Sequence, residues 1–407
     1  MKLHFFFIAI IASSIGPYIG LGFRLEHPII YILFFYLTIL FIKGKKVNKH
    51  ISILTLPLLI SLIITVVFDL TTGPKIRVGN FFSNVDNLSQ PVILIFIFSL
   101  LMDSSFNTEK FKKALMFFMK ISIIAGITSI LTIFFDFEFI LKYFVSITDD
   151  EDNLWKQVLN LGRYTGLFSQ PLEAGIFFTC SMLSIIYLNR EYGFKGIKFK
   201  ITFLIIFIAG TISLSKNFYL LGLFCSILFY GQLSKWSIMN YITLISSTLT
   251  IIVLVFLFII DDVGNYLTSI LDLYQTNGLA SAVTAGRFGG KESTEVEILF
   301  NNFFNDGLLT GFGLGTHLPL DNGFLEYGYQ GGIISLVGYI AFIIMGLLKS
   351  ITIKKNPAGM FLKIIFIYVF LASVGGPVIT ANRANIIIIF LTCASLALSY
   401  KTSKAYV

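Results

Sequence analysis

Residues 201–234, ITFLIIFIAGTISLSKNFYLLGLFCSILFYGQLS, form two apolar runs, 201–214 and 218–234, parted only by Ser215-Lys216-Asn217. Roughly 20 apolar residues in a helix cross the hydrocarbon core of a bilayer. Two such runs with so short a link read as a helical hairpin that reverses at one membrane face, with backbone hydrogen bonds closed inside each helix. A lysine stands at the reversal. At full depth an ionisable side chain costs roughly 2.5–3.5 kcal/mol, less near the interface, and is usually functional.

The same grain runs along the whole chain. Of 407 residues, 56% are hydrophobic, 16% aromatic and 13% charged, which excludes a soluble protein. Spans are expected at 3–23, 28–42, 51–70, 88–102, 114–135, 172–189, 201–214, 218–234, 241–260, 323–348, 361–379 and 385–400. The expected fold is an all-α polytopic membrane protein, a single integral-membrane domain over 1–407 with about twelve transmembrane helices. Apolar character is not confined to the N-terminus, so the first run is expected to span and not to be cleaved as a signal. Cys180, Cys225 and Cys393 all fall within apolar runs and read as small buried hydrophobes, not as disulfides or metal ligands.

Charge sets the expected orientation. With the N-terminus inside, the internal loops carry KGKKVNKH at 43–50 and Lys110, Lys112 and Lys113, then Arg190, Lys195, Lys198 and Lys200. Lys235, Lys349, Lys354, Lys355, Lys401 and Lys404 follow on the same side, with Lys2, Lys120 and Lys363 near span entrances. That places 20 basic and three acidic residues inside, against 10 basic and 19 acidic outside. The asymmetry predicts both termini in the cytoplasm. It also accounts for the +8 net charge without any nucleic-acid partner.

Arginine breaks this rule. Of the six arginines, Arg24, Arg77, Arg163, Arg287 and Arg383 fall outside, and only Arg190 falls inside. A planar, permanently charged fork suits phosphate and carboxylate better than an ammonium does. An outward-facing site for an anionic ligand is therefore expected. For Arg163 and Arg287 the plainer reading is a snorkelling anchor or a salt bridge to an outer acid. Arg383, in Ala381-Asn382-Arg383-Ala384-Asn385, reads equally as a helix-end anchor, and Arg24 and Arg77 read as anchors.

Two external segments are long. Residues 136–171 hold the acidic run Asp149, Asp150, Glu151 and Asp152. Residues 261–322, between the ninth and tenth spans, contain Val296, Leu299, Phe300, Phe303 and Phe304 at helical spacing, with Ser293 or Thr294 placed to cap. That is the pattern of an amphipathic helix lying on the outer interface. Its plainer role is a lid over the bundle. Glycine-flanked Gly286-Arg287-Phe288-Gly289-Gly290 lets the backbone approach a ligand, and Gly311-Phe312-Gly313-Leu314-Gly315 leads on to His317, Asp321 and Asn322.

Four stretches together resemble the Wzy-type O-antigen polymerases and the related O-antigen ligases. They are Gly162-Arg163-Tyr164-Thr165-Gly166-Leu167-Phe168-Ser169-Gln170-Pro171; Ser213-Leu214-Ser215-Lys216-Asn217; Ala285-Gly286-Arg287; and Gly311-Phe312-Gly313 with Asp321-Asn322-Gly323-Phe324-Leu325. Their order, their expected side and the large loop between spans nine and ten all match, over roughly residues 160–340. Each motif alone is degenerate. The family usually has Ser-Arg where this chain has Ser215-Lys216, and ligases typically place His before the Asn of the fourth motif, where this chain has Asp321. The second departure favours a polymerase, although His317 lies only four residues upstream.

The resemblance implies a glycosyltransferase of the bacterial inner membrane, its active site facing the periplasm. Its substrate would be an undecaprenyl-pyrophosphate-linked oligosaccharide, polymerised into O-antigen or a similar surface polysaccharide. Membrane lipids are implied partners, with room for a chain-length regulator. A pyrophosphate leaving group needs cations where negative charge grows rather than a proton donor. Arg163, Lys216, Arg287 and Arg383 are expected to bind it, Arg287 foremost. The acceptor hydroxyl calls for a general base. Asp321 is the first candidate, with Glu326, Glu173 and His317 behind it. Four adjacent acids usually make a solvated loop, so no metal and no cofactor are expected. A ligase, or a flippase for the same lipid-linked sugars, are the alternatives. Transporters generally show internal repeats, and none is visible here.

Overall fold

The computed structural model describes residues 3–20, 23–72, 81–103, 106–145, 154–234, 237, 239, 246, 272–278, 295–315, 322–353 and 356–404. The expected ninth span at 241–260, the acidic run 149–152, Arg77, Arg287, His317 and Asp321 lie outside or essentially outside those residues.

Within them the chain is helical apart from one short hairpin. Seven helices are long and apolar enough to cross a membrane: Lys49–Thr71, Phe81–Leu101, Thr108–Phe134, Pro171–Tyr192, Asn217–Ser234, Gly323–Thr352 and Arg383–Tyr400. The elements in order are α1 (Leu3–Ser13), β1 (Tyr18–Gly20), β2 (Phe23–Arg24), α2 (Glu26–Ile42), α3 (Lys49–Ser52), α4 (Thr55–Thr72), α5 (Phe81–Leu101) and α6 (Thr108–Phe134). Then come α7 (Glu138–Leu141), α8 (Leu154–Asn160), α9 (Pro171–Tyr192), α10 (Gly196–Ile212), the π-turn π1 (Asn217–Gly222) and α11 (Leu223–Ser234). The last are α12 (Glu295–Asn302), π2 (Phe303–Gly307), α13 (Gly323–Thr352), α14 (Pro357–Ala372) and α15 (Asn382–Lys404).

Two helices form the centre. The apolar windows of α9 and α15 are each 94% buried, against 39–56% for the other five, so the remaining helices surround this pair. Cys180 and Cys393 are buried on them and Cys225 on α11, all as free thiols. The outward apolar faces, such as Ile32, Phe35, Ile39 and Ile42 of α2, are what lipid requires of a helix with its backbone bonds already closed.

The first expected span, 3–23, ends early. Helix α1 stops at Ser13, and the chain turns through Gly16-Pro17 into an antiparallel pair, Tyr18 facing Arg24. The Ser13 and Ser14 hydroxyls donate to the carbonyls of Ile10 and Ile11, satisfying the last turn, and Pro17 has no N–H to continue it. The hairpin is held at one rim of the bundle by Tyr18 N–H donating to Tyr143 O at 2.6 Å.

The expected tenth span is also interrupted. At Gly331 and Gly332 the backbone of α13 leaves helical geometry, with φ of 70° and ψ of −166° at Gly332. The groups this frees are taken by the preceding loop. Phe312 N–H donates to Tyr329 O and Ile333 N–H donates to Leu308 O, both at 2.7 Å. A broken helix is tolerated at membrane depth only where protein re-satisfies it in this way. Asp69 of α4 completes the dock by accepting from Leu314 N–H at 2.8 Å. The glycines of 311–315 therefore bring backbone against backbone, at the break in α13.

The amphipathic segment forms as α12, but its apolar residues divide. Leu299 and Phe303 are buried against Leu325 and Tyr329 of α13, whereas Phe300 and Phe304 are 43% and 50% exposed. Each pair is four residues apart, and the two pairs sit about 100° from one another around the helix, so one faces α13 and the other does not. The segment thus covers the broken part of α13 and leaves an aromatic pair outward.

Gly332→Ala tests the break. A Cβ there would meet the Leu309 carbonyl at 2.3 Å on a left-handed backbone, whereas one at Gly44 (φ +91°) meets nothing within 4 Å. Gly332→Ala is expected to cost more than the about 1–3 kcal/mol of backbone strain alone. Gly44→Ala should show only the strain. Apparent melting temperatures of the detergent-solubilised proteins read the difference, and equal shifts would refute the backbone clash.

Candidate functional site

One rim of the bundle gathers the N-terminal turns of α2, α9, π1, α13 and α15 with the hairpin and the loop 162–171. Three of the four sequence motifs meet there. The 162–171 loop begins with Gly162 and Gly166 in left-handed conformation (φ 70° and 59°). Their freedom folds the loop back on the α10–π1 turn. Tyr164 N–H donates to Ile212 O at 3.0 Å, and Arg163 Nη2 donates to Leu214 O at 3.1 Å. Arg163 and the Ser215-Lys216 turn are thus brought together, two of the four expected cations.

The turn itself is strained. Leu214 has φ 48°, the one positive value at a residue other than glycine among those described. A leucine is held there at a cost of roughly 1–3 kcal/mol, and such outliers cluster at functional positions. The strain aims the Leu214 carbonyl at Arg163 and lets Ser215 O accept from both Phe218 N–H and Tyr219 N–H, starting the π1 turn. Ser215 seats against α9 at Gly175, where any Cβ would lie 2.1 Å from Ser215 Oγ. Lys216 is half-buried and Asn217 is 5% exposed.

Arg383 is fully buried at the start of α15. Its Nη1 donates to Leu167 O at 2.5 Å, and Nη2 donates to Gly16 O at 2.9 Å and Phe144 O at 2.5 Å. One guanidinium therefore ties together the 162–171 loop, the end of α1 and the turn after α7. The fourth motif arrives through Asn322, whose side chain caps α13 by accepting from Phe324 N–H and Leu325 N–H and donates to Val374 O. Gly323 N–H donates to Ser373 O at 2.7 Å. These bonds fix the 373–376 segment, which abuts both Asn217 and Leu172.

A charged cluster that sequence reading missed lies beside Arg383. Arg24 Nη1 is 3.3 Å from Glu173 Oε1 and 3.8 Å from Glu26 Oε1, and Arg24 Nε donates to Tyr18 Oη at 2.8 Å. Burial alone would lower the basicity of Arg24, but Glu173, Tyr18 and Glu26 more than offset it and hold its pKa above the ordinary arginine value. Arg24, read as an interfacial anchor, is instead 86% enclosed and paired across the bundle. The signal was present as Arg24-Leu25-Glu26, opposite charges placed just before an apolar run. Glu326 is buried one turn into α13 and accepts from Thr380 Oγ1 at 2.6 Å.

Several buried polar atoms at this rim have no hydrogen-bond partner: Ser169 Oγ, Glu173 Oε2, Asn217 Nδ2 and both carboxylate oxygens of Glu26. Native interiors leave few such groups, and each calls for a ligand or water. The rim can therefore receive donors at the carboxylates and hydroxyl, and an acceptor at Asn217. Among the described residues, no three His, Cys, Asp or Glu side chains stand close enough to hold a metal ion.

No protein-family model matches the chain, and no curated protein matches it.

Arg383→Ala is expected to destabilise the protein sharply, because each orphaned carbonyl costs about 1–3 kcal/mol. Arg383→Lys should recover only part, since one ammonium cannot reproduce the fork's geometry toward three acceptors. Size-exclusion profiles after graded heating measure this, and a wild-type profile for Arg383→Ala would remove it as the tie of the rim.

Proposed function

We propose that the chain is a Wzy-type polymerase. In this reading it moves a growing glycan from a polyprenyl pyrophosphate carrier onto the nonreducing end of a new carrier-linked repeat unit. The rim described above would be the catalytic face, turned to the periplasm of a bacterial inner membrane by about twelve spans with both termini inside. The observation that carries this reading is the Arg163–Leu214 contact. It fastens the loop motif to a strained turn that presents Lys216, among buried polar groups lacking partners.

In the proposed reaction the bond from the sugar's anomeric carbon to the pyrophosphate oxygen breaks while the acceptor hydroxyl oxygen bonds to that carbon. The electron pair leaves with the pyrophosphate, and the hydroxyl proton passes to a base. Arg163 and Lys216 would meet the leaving charge, joined by Arg287 from the external loop. Each charge-assisted contact contributes roughly 1.5–3 kcal/mol, and only the part realised as charge develops accelerates the step. Arg383 supports the same site by fixing the loop through Leu167. Asp321 remains the first candidate base. Behind it, Glu326 is hydrogen-bonded to Thr380 and Glu173 is paired with Arg24. The carboxylate oxygen of Glu173 that lacks a partner gives it a free acceptor for a hydroxyl proton.

The test is the surface glycan of cells carrying single variants, with membrane levels of the protein held equal. Arg287→Ala and Arg163→Ala should each reduce polymer to single repeats, about a 10–100-fold loss in line with one to two charge-assisted contacts. Arg287→Lys should restore part of the length distribution. Wild-type lengths in both alanine variants would discard the anion site. Long carrier-linked chains absent from the lipid core would indicate a ligase, and inward-facing undecorated carrier a flippase.

Metal independence has its own measurement. Purified protein assayed with a chelator should keep its rate, and a strict divalent requirement would overturn a mechanism resting on side-chain cations alone.

A further inference from the structure

At the opposite end of the bundle from the Arg163–Lys216 turn lies a cleft of about 620 Å³, between the C-terminal ends of α9, α11 and α13 and the N-terminal turns of α14. Its volume falls in the range of small-molecule sites, about 300–1,000 Å³. The walls are mostly apolar, including Leu233, Ile353 and Met360, with three charged residues: Arg190, Glu191 and Lys363. We propose that this cleft binds the phosphodiester headgroup of a membrane glycerophospholipid, held between Arg190 and Lys363.

Three observations carry it. Lys363 stands six residues beyond Pro357, the first residue of α14, or about 9 Å along the axis at 1.5 Å per residue. A charge that far into an apolar helix reaches the interface by snorkelling or meets an opposite charge or a polar cavity, and here the cleft supplies the cavity. Among the described residues Lys363 has no hydrogen-bond or ion-pair partner, and it lines the cleft. Arg190 is positioned on the facing wall by Nη2 donating to Leu233 O at 2.8 Å, which leaves other guanidinium donors available. Finally, among the described lining residues two cations and one carboxylate leave one positive charge, which one phosphodiester neutralises. Apolar walls below the charges suit acyl chains. Basic pockets between helices at a membrane rim recognise lipid headgroups by this combination.

A second basic groove provides the comparison. It lies between α1 and α6, is about 310 Å³, and is lined by Ile8, Lys112, Lys113 and Lys120. There Lys113 is paired with Glu109 at 3.3 Å, and Lys112 lies over the Tyr192 ring. Lys120→Gln removes one charge from the same rim without touching the proposed site.

The experiment is native mass spectrometry of the full-length protein in detergent, titrated with phosphatidylglycerol or with diacylglycerol of the same acyl chains. Phosphatidylglycerol should bind with one tight site and diacylglycerol should not. Lys363→Gln and Arg190→Gln should each weaken that site by at least about tenfold, as expected for loss of one charge-assisted contact. Lys363→Arg should keep it, which guards against a misfolded variant, and Lys120→Gln should leave it unchanged. Equal binding of diacylglycerol would show an apolar crevice only. Equal loss in Lys120→Gln and Lys363→Gln would show undirected surface charge, and a loss in Lys363→Arg as large as in Lys363→Gln would show a packing defect. Each of these three would overturn the proposal.

Discussion

The guanidinium of Arg383, buried at the head of a central helix, binds carbonyls from three segments that are remote in sequence: Gly16, Phe144 and Leu167. Chain that leaves a membrane helix must find partners for its freed carbonyls, because lipid offers none and water has limited access at a packed rim. A single planar fork with five donors solves this for three loops at once. Arg24 then sits next to it, paired with Glu173 of the other central helix, so the second cation is balanced by carboxylates and not left exposed to the first. The hairpin, the 162–171 loop and the α9 entrance take their positions from this pair of arginines.

That anchoring has a consequence for the turn carrying Lys216. The loop fixed at Leu167 by Arg383 is fixed at Arg163 to Leu214, so the buried arginine and the strained turn belong to one chain of contacts. Gly175 lets Ser215 sit directly on α9, which sets how deep the lysine stands. In the proposed reaction, side chains held in this way would stabilise charge as it develops with little reorganisation. The cost shows as unpartnered polar atoms and a leucine in left-handed geometry, the usual marks of a site shaped for something other than stability.

On the other flank, α13 is broken where the glycine-rich loop docks. A continuous helix would need no partner there. The break at Gly331-Gly332 creates freed groups that Leu308 and Phe312 satisfy, so the helix and the covering segment hold one another. The same logic separates the two ends of the bundle. At one rim Arg24 and Arg383 are taken up by carboxylates and carbonyls, whereas at the other Lys363 meets an open cleft.

Sequence alone determined the class of fold, because transfer of apolar surface out of water depends only on composition and run length, and most expected spans coincide with described helices. It also singled out Arg163, Lys216 and Arg383, because a charge beside an apolar run is conspicuous whatever the fold. It could not tell what those charges touch. Whether an arginine snorkels to water, as was read for Arg24, or closes on a glutamate some 149 residues away depends on which helices are neighbours, and no local pattern encodes that. The early end of α1, the break in α13 and the division of the amphipathic face were decided by tertiary structure for the same reason. Each is a place where a local preference for helix yields to hydrogen bonds supplied by distant chain.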